Sequence, residues 1–211
     1  MITERAATLA AADGADLDAR LAVPPAPRAG IVVCHPHPLY GGDMDNPVVV
    51  RVQEVCAAQG LATLRFNFRG VGRSTGVHDG GRAEQADVEA ALDHLAAALG
   101  GATLALAGYS FGAIVAAAVA ARRGDLAGLA LIAPPVGRSG EAPFAALATF
   151  ARPLLVVAAG EDEYCPRPAL EALARRLPGA EVRVVDGAGH FFFGKLFPLG
   201  EIVSAWAARL A

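Results

Sequence analysis

Cysteine is scarce in this sequence, with three among 211 residues, and Cys34, Cys56 and Cys165 form neither a CxxC pair nor a metal-ligand spacing. A disulfide framework is therefore excluded as the organising device, and free thiols fit a reducing compartment. An excess of positive charge is lacking as well: 18 Lys and Arg stand against 21 Asp and Glu, and the basic residues are scattered without a block. This argues against nucleic acid as a partner and leaves a small molecule as the expected one. No apolar run reaches membrane-spanning length; the greasiest stretch, 103–121, is broken by Gly108, Tyr109, Ser110 and Gly112. It reads as buried core, and no membrane association is expected. The opening segment carries Glu4, Arg5, Asp13, Asp16, Asp18 and Arg20 in place of the apolar block of a secretory signal, so a cytoplasmic location is expected. Internal repeats and low-complexity linkers are missing too. The length fits one domain, 1–211, with a substantial core.

What is present is a regular alternation. Apolar runs bounded by turn residues recur at 31–34, 62–66, 103–107, 126–132, 154–158 and 182–185 and read as strands. Helical spacing fills the intervals, most clearly in Val88, Ala91, Leu92, Leu95 and Leu99, which share one face while Glu89, Asp93 and His94 are left for water. Strands alternating with helices imply an α/β fold with a mostly parallel twisted sheet and helices on both faces. Asn46 before Pro47 marks a helix start, since proline's missing N–H costs nothing at the first helical position, and Gly60 suits the exit. Segments 5–10 and 16–23, separated by Asp13-Gly14, predict an antiparallel hairpin on one sheet edge. Only 134–153 reads as a long irregular connection. It has room for a short helix at 143–150 but not for a large lid.

Chemistry concentrates at strand exits. Gly108-Tyr109-Ser110-Phe111-Gly112 matches G-x-S-x-G between an apolar strand and a helical stretch at 113–122. A serine on so tight a turn needs glycine two residues either side, where a side chain would meet backbone. Ser110 would then stand at a helix N-terminus, with the Phe111 amide placed to donate to an oxyanion. A serine hydroxyl needs a base to take its proton. Of five histidines, His190 is the choice, because Gly187-Ala188-Gly189-His190 turns directly after the last strand. Three carboxylates, Glu161, Asp162 and Glu163, compete after the strand 154–158. In 34–42, Pro36 and Pro38 have no N–H, so the donor that loop offers is the amide of His37, with Leu39 as the alternative. His35 and His37 alternate as metal ligands might, but no third ligand cluster accompanies them. They read as loop-fixing residues, and neither metal nor cofactor is assigned. Arg65, Arg69 and Arg73 would either hold a substrate anion or tie loops to Glu84 or Asp87. Phe191, Phe192 and Phe193 would either line an acyl pocket or pack beneath the histidine.

Taken together, His35-Pro36-His37-Pro38 with Gly41-Gly42, the run 65–72, Gly108 to Gly112, Asp162-Glu163-Tyr164 and Gly189-His190-Phe191-Phe192 resemble the α/β-hydrolase superfamily, in particular its compact bacterial dienelactone-hydrolase-like or CocE/NonD-like members. The resemblance implies an α/β-hydrolase fold, the order nucleophile, acid, histidine, and an acid loop whose aspartate stands four residues before a proline, here Pro166, which selects Asp162. It also implies cofactor-free ester or thioester hydrolysis through an acyl-enzyme on Ser110. Leu39, Tyr40, Tyr109 and Phe191 are the substrate-binding candidates. The same triad would serve acyl transfer, amide cleavage or carbon–carbon hydrolysis, which motifs do not separate, and a binding protein without chemistry is the non-enzymatic rival. Ala159 departs from the glycine usual at that place in the acid loop, and Ser110 replaces the cysteine of dienelactone hydrolases proper.

Overall fold

Ile31, Val32 and Val33 offer water no polar side chain, so a strand built from them has to be covered on both faces. In the computed structural model, which describes residues 3–210, they form β3 (Gly30–Cys34) in the middle of an eight-stranded sheet. Its other members are β1 (Arg5–Ala10), β2 (Asp16–Ala22), β4 (Ala62–Phe66), β5 (Leu104–Tyr109), β6 (Leu126–Ile132), β7 (Leu154–Ala159) and β8 (Ala180–Val185), in the order β1-β2-β4-β3-β5-β6-β7-β8. The hairpin β1–β2 is antiparallel and joins β4 antiparallel. From β4 to β8 every pairing is parallel.

Side chains alternate across the pleat and so build two cores. Ile31, Val33, Ala105, Ala107, Leu155 and Val157 pack with Val48, Val49 and Val52 of α1 (Pro47–Ala58) and with Leu199, Val203 and Trp206 of α6 (Leu196–Ala207). Their strand neighbours Val32, Leu106 and Val156 face the opposite way. They meet Val88, Ala91, Leu92 and Leu95 of α2 (Glu84–Ala98), Val115 and Val119 of α3 (Phe111–Ala120), and Leu170 and Leu173 of α5 (Arg167–Arg176). The expected stripe on α2 is thus the buried one, with Leu99 half-covered at its end. Asn46 caps α1 by accepting from the Val48 amide at 3.0 Å, and Gly60 leaves the helix at φ +79°. Among the described residues no helix is long and apolar enough to cross a membrane.

Two boundaries shift in a way that matters for the site. β5 runs on to Tyr109, because Gly108 and Tyr109 still ladder with Leu131 and Ile132 of β6. Helix α3 accordingly starts at Phe111, leaving Ser110 alone in the turn. The segment 134–153 is mostly helical, as α4 (Val136–Ser139) and a 3-10 stretch at Ala142–Thr149, and it forms no large lid. The long irregular connection is instead 67–83, between β4 and α2.

That connection is held by polar ties, which leave no periodicity in the sequence. Ser74 Oγ donates to the Asn67 carbonyl at 2.8 Å, and Glu84 accepts from the Asp79 and Gly81 amides, each at 2.8 Å. Arg69 is the principal tie: its guanidinium bonds Asp87 at 2.6 Å and Asp13 at 2.7 Å, and its own amide donates to Asp87 at 3.0 Å. Burial holds the Asp87 carboxyl above its usual range even though the guanidinium opposes that shift. Of the two roles open to the arginines, loop-tying is the observed one for Arg69 through Asp87 and for Arg65 through Glu4 and Asp45. Arg73 is exposed and only grazes Asp18. Removing one partner of a buried ion pair strands the other charge, so Arg69→Ala is expected to lower unfolding stability by about 3–5 kcal/mol in urea titrations.

Candidate active site

Ser110 occupies φ +55°, ψ −116°, a conformation that non-glycine residues rarely adopt. The turn closes so tightly that a Cβ on Gly108 would lie 2.2 Å from the Gly112 carbonyl oxygen, and one on Gly112 would lie 2.6 Å from the carbonyl oxygens of Cys34 and His35. Glycine at both places is what lets strand, turn and helix meet. The Ser110 amide donates to Ile132 at 2.9 Å, anchoring the turn to β6, while the Phe111 amide belongs to the first turn of α3, whose N–H groups have no intrahelical acceptor.

His190 reaches the serine from 186–195, the loop after β8. Its Nε2 lies 2.9 Å from Ser110 Oγ and its Nδ1 lies 2.8 Å from Asp162 Oδ2. A carboxylate only accepts, so Nδ1 carries the proton and Nε2 is left to accept from the hydroxyl. Asp162 Oδ1 accepts from the Tyr164 amide at 2.8 Å, and its carboxylate is fully buried beneath the imidazole. Two backbone bonds hold the acid and histidine loops together: the Gly160 amide to Val185 at 3.0 Å and the Glu161 amide to Ala188 at 2.8 Å. Ala159 fits without strain in the glycine's usual place, as the last ladder residue of β7 opposite Val185. The Tyr109 hydroxyl donates to the His190 carbonyl at 3.0 Å, and the Tyr164 ring lies 4.6 Å from the imidazole. Of the three competing carboxylates only Asp162 meets the histidine; Glu161 and Glu163 are exposed.

The loop after β3 brings the other wall. Leu39 donates its amide to His37 Nδ1 at 3.2 Å, and the Tyr40 and Gly42 amides bond the His37 carbonyl. Of the two amides expected as donors, Leu39's is engaged, while His37's has no acceptor among the described residues. Burial, and then the neighbouring His78, hold His37 below the usual histidine value. His35 is wholly buried: Nε2 accepts from the Phe68 amide at 2.9 Å, which leaves Nδ1 to donate to the Pro36 carbonyl at 2.6 Å. Both nitrogens are occupied by loop-fixing bonds. Among the described residues no group of three or more His, Cys, Asp or Glu side chains is gathered for a metal.

Around Ser110 and His190 lies an open cleft of about 600 Å³. Tyr40, Tyr109 and Phe191 line it as expected, but Leu39 does not. Leu39 and Tyr40 are consecutive in a 3-10 turn at Pro38–Tyr40, so they point apart, and Leu39 faces solvent away from the cleft. The three phenylalanines divide: Phe191 lines the cleft, Phe192 is core at φ +52°, and Phe193 is exposed outside it. Arg138, Ser139, Pro135 and Ile114, not singled out from the sequence, also line it, as does Tyr164, which the sequence offered only within the Asp162-Glu163-Tyr164 stretch. Their positions after β6, β7 and the Ser110 turn are strand-exit positions, the signal that would have found them. A second hollow of about 390 Å³ on the hairpin edge is lined by Ala6, Thr8, Asp18 and Arg73 among others, with neither serine nor histidine.

The family described as "Serine aminopeptidase, S33" matches residues 25–152, from before β3 through the Ser110 turn and past α4. The chain belongs to this family of α/β-hydrolases. The hydrolase is 35% identical over 184 residues to an uncharacterized protein of Rickettsia prowazekii, a match covering 83% of this chain and 77% of that one. Among solved structures it is similar to an alpha-beta serine hydrolase homologue from Coxiella burnetii, at 35% identity and TM-score 0.88, over 97% of this chain and 98% of that one. It is also similar to XC6422 from Xanthomonas campestris, an a/b serine hydrolase without lid, at 32% identity and TM-score 0.85, over 98% and 94% of the two chains. The superfamily resemblance carried by the motifs is thereby borne out.

In this hydrolase the buried His35 is also expected to make stability depend on pH. Burial lowers its pKa from 6.5 to about 4, since the charged imidazole would be stripped of water. Below pH 6.5 the unfolded chain takes up a proton that the folded chain refuses. The contribution is thus complete above pH 6.5 and drains away as pH falls toward 4, by about 3 kcal/mol. Urea unfolding across this window should show His35→Asn with a shallower pH dependence, less by about one proton.

Proposed function

We propose that this hydrolase cleaves a small carboxylic ester or thioester through an acyl-enzyme on Ser110. The observation that carries this reading is the relay from Ser110 Oγ to His190 Nε2 at 2.9 Å and from His190 Nδ1 to Asp162 at 2.8 Å. Ser110 Oγ attacks the carbonyl carbon as its proton passes to His190 Nε2, and Asp162 stabilises the imidazolium that forms. The Phe111 and His37 amides hold the oxyanion. His190 then protonates the leaving group, and a water activated by the same nitrogen releases the acid. Such a reaction needs no cofactor.

The cleft supports acyl esters over peptides with a free amino terminus. An aminopeptidase has to hold an α-ammonium group, yet among the described residues no Asp or Glu lines the cleft; Asp162 is sealed beneath His190. The absence of a large lid, and a volume of about 600 Å³, favour a small or chain-like substrate reached from solvent. Cys34, Cys56 and Cys165 are buried free thiols, which fits work in a reducing cytoplasm.

Ser110→Ala should cost at least about 10⁴-fold in kcat on p-nitrophenyl butyrate, and undiminished turnover would remove the nucleophile assignment. Asp162→Asn should lose about 10⁴-fold in kcat through the wrong imidazole tautomer. Glu163→Gln should stay within about two-fold, as expected for an exposed neighbour. A fluorophosphonate probe should label folded wild-type protein and not Ser110→Ala.

A further inference from the structure

Among the described residues, Arg138 is the one Asp, Glu, Lys or Arg side chain that lines the cleft. Three arginines packed against the fold are spent on carboxylates: Arg65 on Glu4 and Asp45, Arg69 on Asp87 and Asp13, Arg123 on Glu89, Asp93 and Asp125. Arg138 is exposed, like Arg175 and Arg176, and is set apart from them by its place in the cleft wall. Arg138 has no carboxylate within ion-pair distance among the described residues. Its guanidinium lies instead 5.2 Å from the centroid of the Tyr164 ring, which lies 4.6 Å from His190. The cation is thus stacked on the aromatic ring next to the base, with its donors uncommitted.

The backbone beneath it is built to hold that position. Gly137 donates its amide to the Tyr164 carbonyl at 2.8 Å, and a Cβ on Gly137 would lie 2.7 Å from Pro166 Cδ and 2.9 Å from that carbonyl. A glycine is what lets α4 press onto the acid loop. Val136, one residue earlier, is buried, and the Arg138 amide bonds the Pro135 carbonyl at 2.9 Å. The α4 backbone that carries Arg138 is therefore fixed against the neighbouring loop that positions Asp162.

We propose that Arg138 anchors a carboxylate carried by the substrate, so that the substrates are acid monoesters or monothioesters. The guanidinium fork matches a carboxylate in two parallel hydrogen bonds. Tyr164 and the absence of acidic residues from the cleft wall leave that fork for the ligand. This rests on the acyl-hydrolase reading above.

The test compares mono-p-nitrophenyl adipate with p-nitrophenyl hexanoate, which differ in a terminal carboxylate, and 4-acetoxybenzoate with phenyl acetate, which places the carboxylate on the leaving group. Wild type should favour the anionic member of one pair in kcat/KM, and the pair showing it locates the carboxylate on the acyl or leaving side. Arg138→Ala should reduce that anionic-to-neutral ratio by about ten-fold, and Arg138→Lys by less. Raising NaCl to about 0.5 M should erode the wild-type ratio. Ratios equal in wild type and Arg138→Ala for both pairs would overturn the proposal. If wild type turns over none of the four esters, the ester part of the acyl-hydrolase reading falls, and the site is decided by calorimetric titration of Ser110→Ala with monomethyl adipate and methyl hexanoate. Tighter binding of the adipate that is lost on adding Arg138→Ala supports the site. Equal binding, or none, overturns it.

Discussion

The site depends on one close backbone approach, that of Gly112 at the start of α3 to the carbonyl oxygens of Cys34 and His35 at the end of β3. Because no side chain stands between them, the turn carrying Ser110 and the loop carrying the His37 amide share one wall of the cleft. The positive φ of Ser110 is tolerated because the surroundings over-determine it: a ladder bond to β6 on one side and helix α3 on the other. His35 closes the bracket from below, joining Phe68 and Pro36 through its two ring nitrogens. A residue that looks like a metal ligand in the sequence is thus a neutral clamp, kept neutral by burial.

The parallel sheet does the remaining positioning. β3, β5, β7 and β8 run the same way, so the loops that follow them all open at one end. The four chemistry-bearing segments therefore meet although Cys34 and His190 are far apart in sequence, as is usual for sites at the carboxyl ends of parallel strands. Charge is used in two ways around this frame. Arg65 and Arg69 are committed to carboxylates and hold loops, whereas Arg138 stacks on Tyr164 with no carboxylate beside it. The same residue type fastens the fold in one place and gives the cleft its sign in another.

Much of this was legible beforehand because it rests on local rules. Apolar runs of strand length, the Asp13-Gly14 hairpin turn, the Asn46-Pro47 helix start and the stripe on α2 all follow from short-range periodicity and turn chemistry, and each appears as expected. The Ser110 turn was legible for the same reason, since its two glycines are a local steric requirement. The irregular segment 67–83 was not, because its order comes from Arg69, Asp87, Glu84 and Ser74 acting across long sequence separations. Leu39 was misplaced for a smaller reason: neighbours in a 3-10 turn point in different directions, and nothing in the residue type says which faces the cleft.

From the sequence alone came the alternation of strand and helix, the serine in its glycine-flanked turn, and the histidine and acid in the chain order of an α/β-hydrolase. These follow from spacing along the backbone, which the sequence contains in full. The family resemblance had already pointed to Asp162 and the two prolines to the His37 amide; the tertiary structure brought that carboxylate to the imidazole and engaged the Leu39 amide elsewhere. Only the tertiary structure decided which arginine faces the cleft, because that turns on directions between segments brought together by the sheet, which no local pattern encodes.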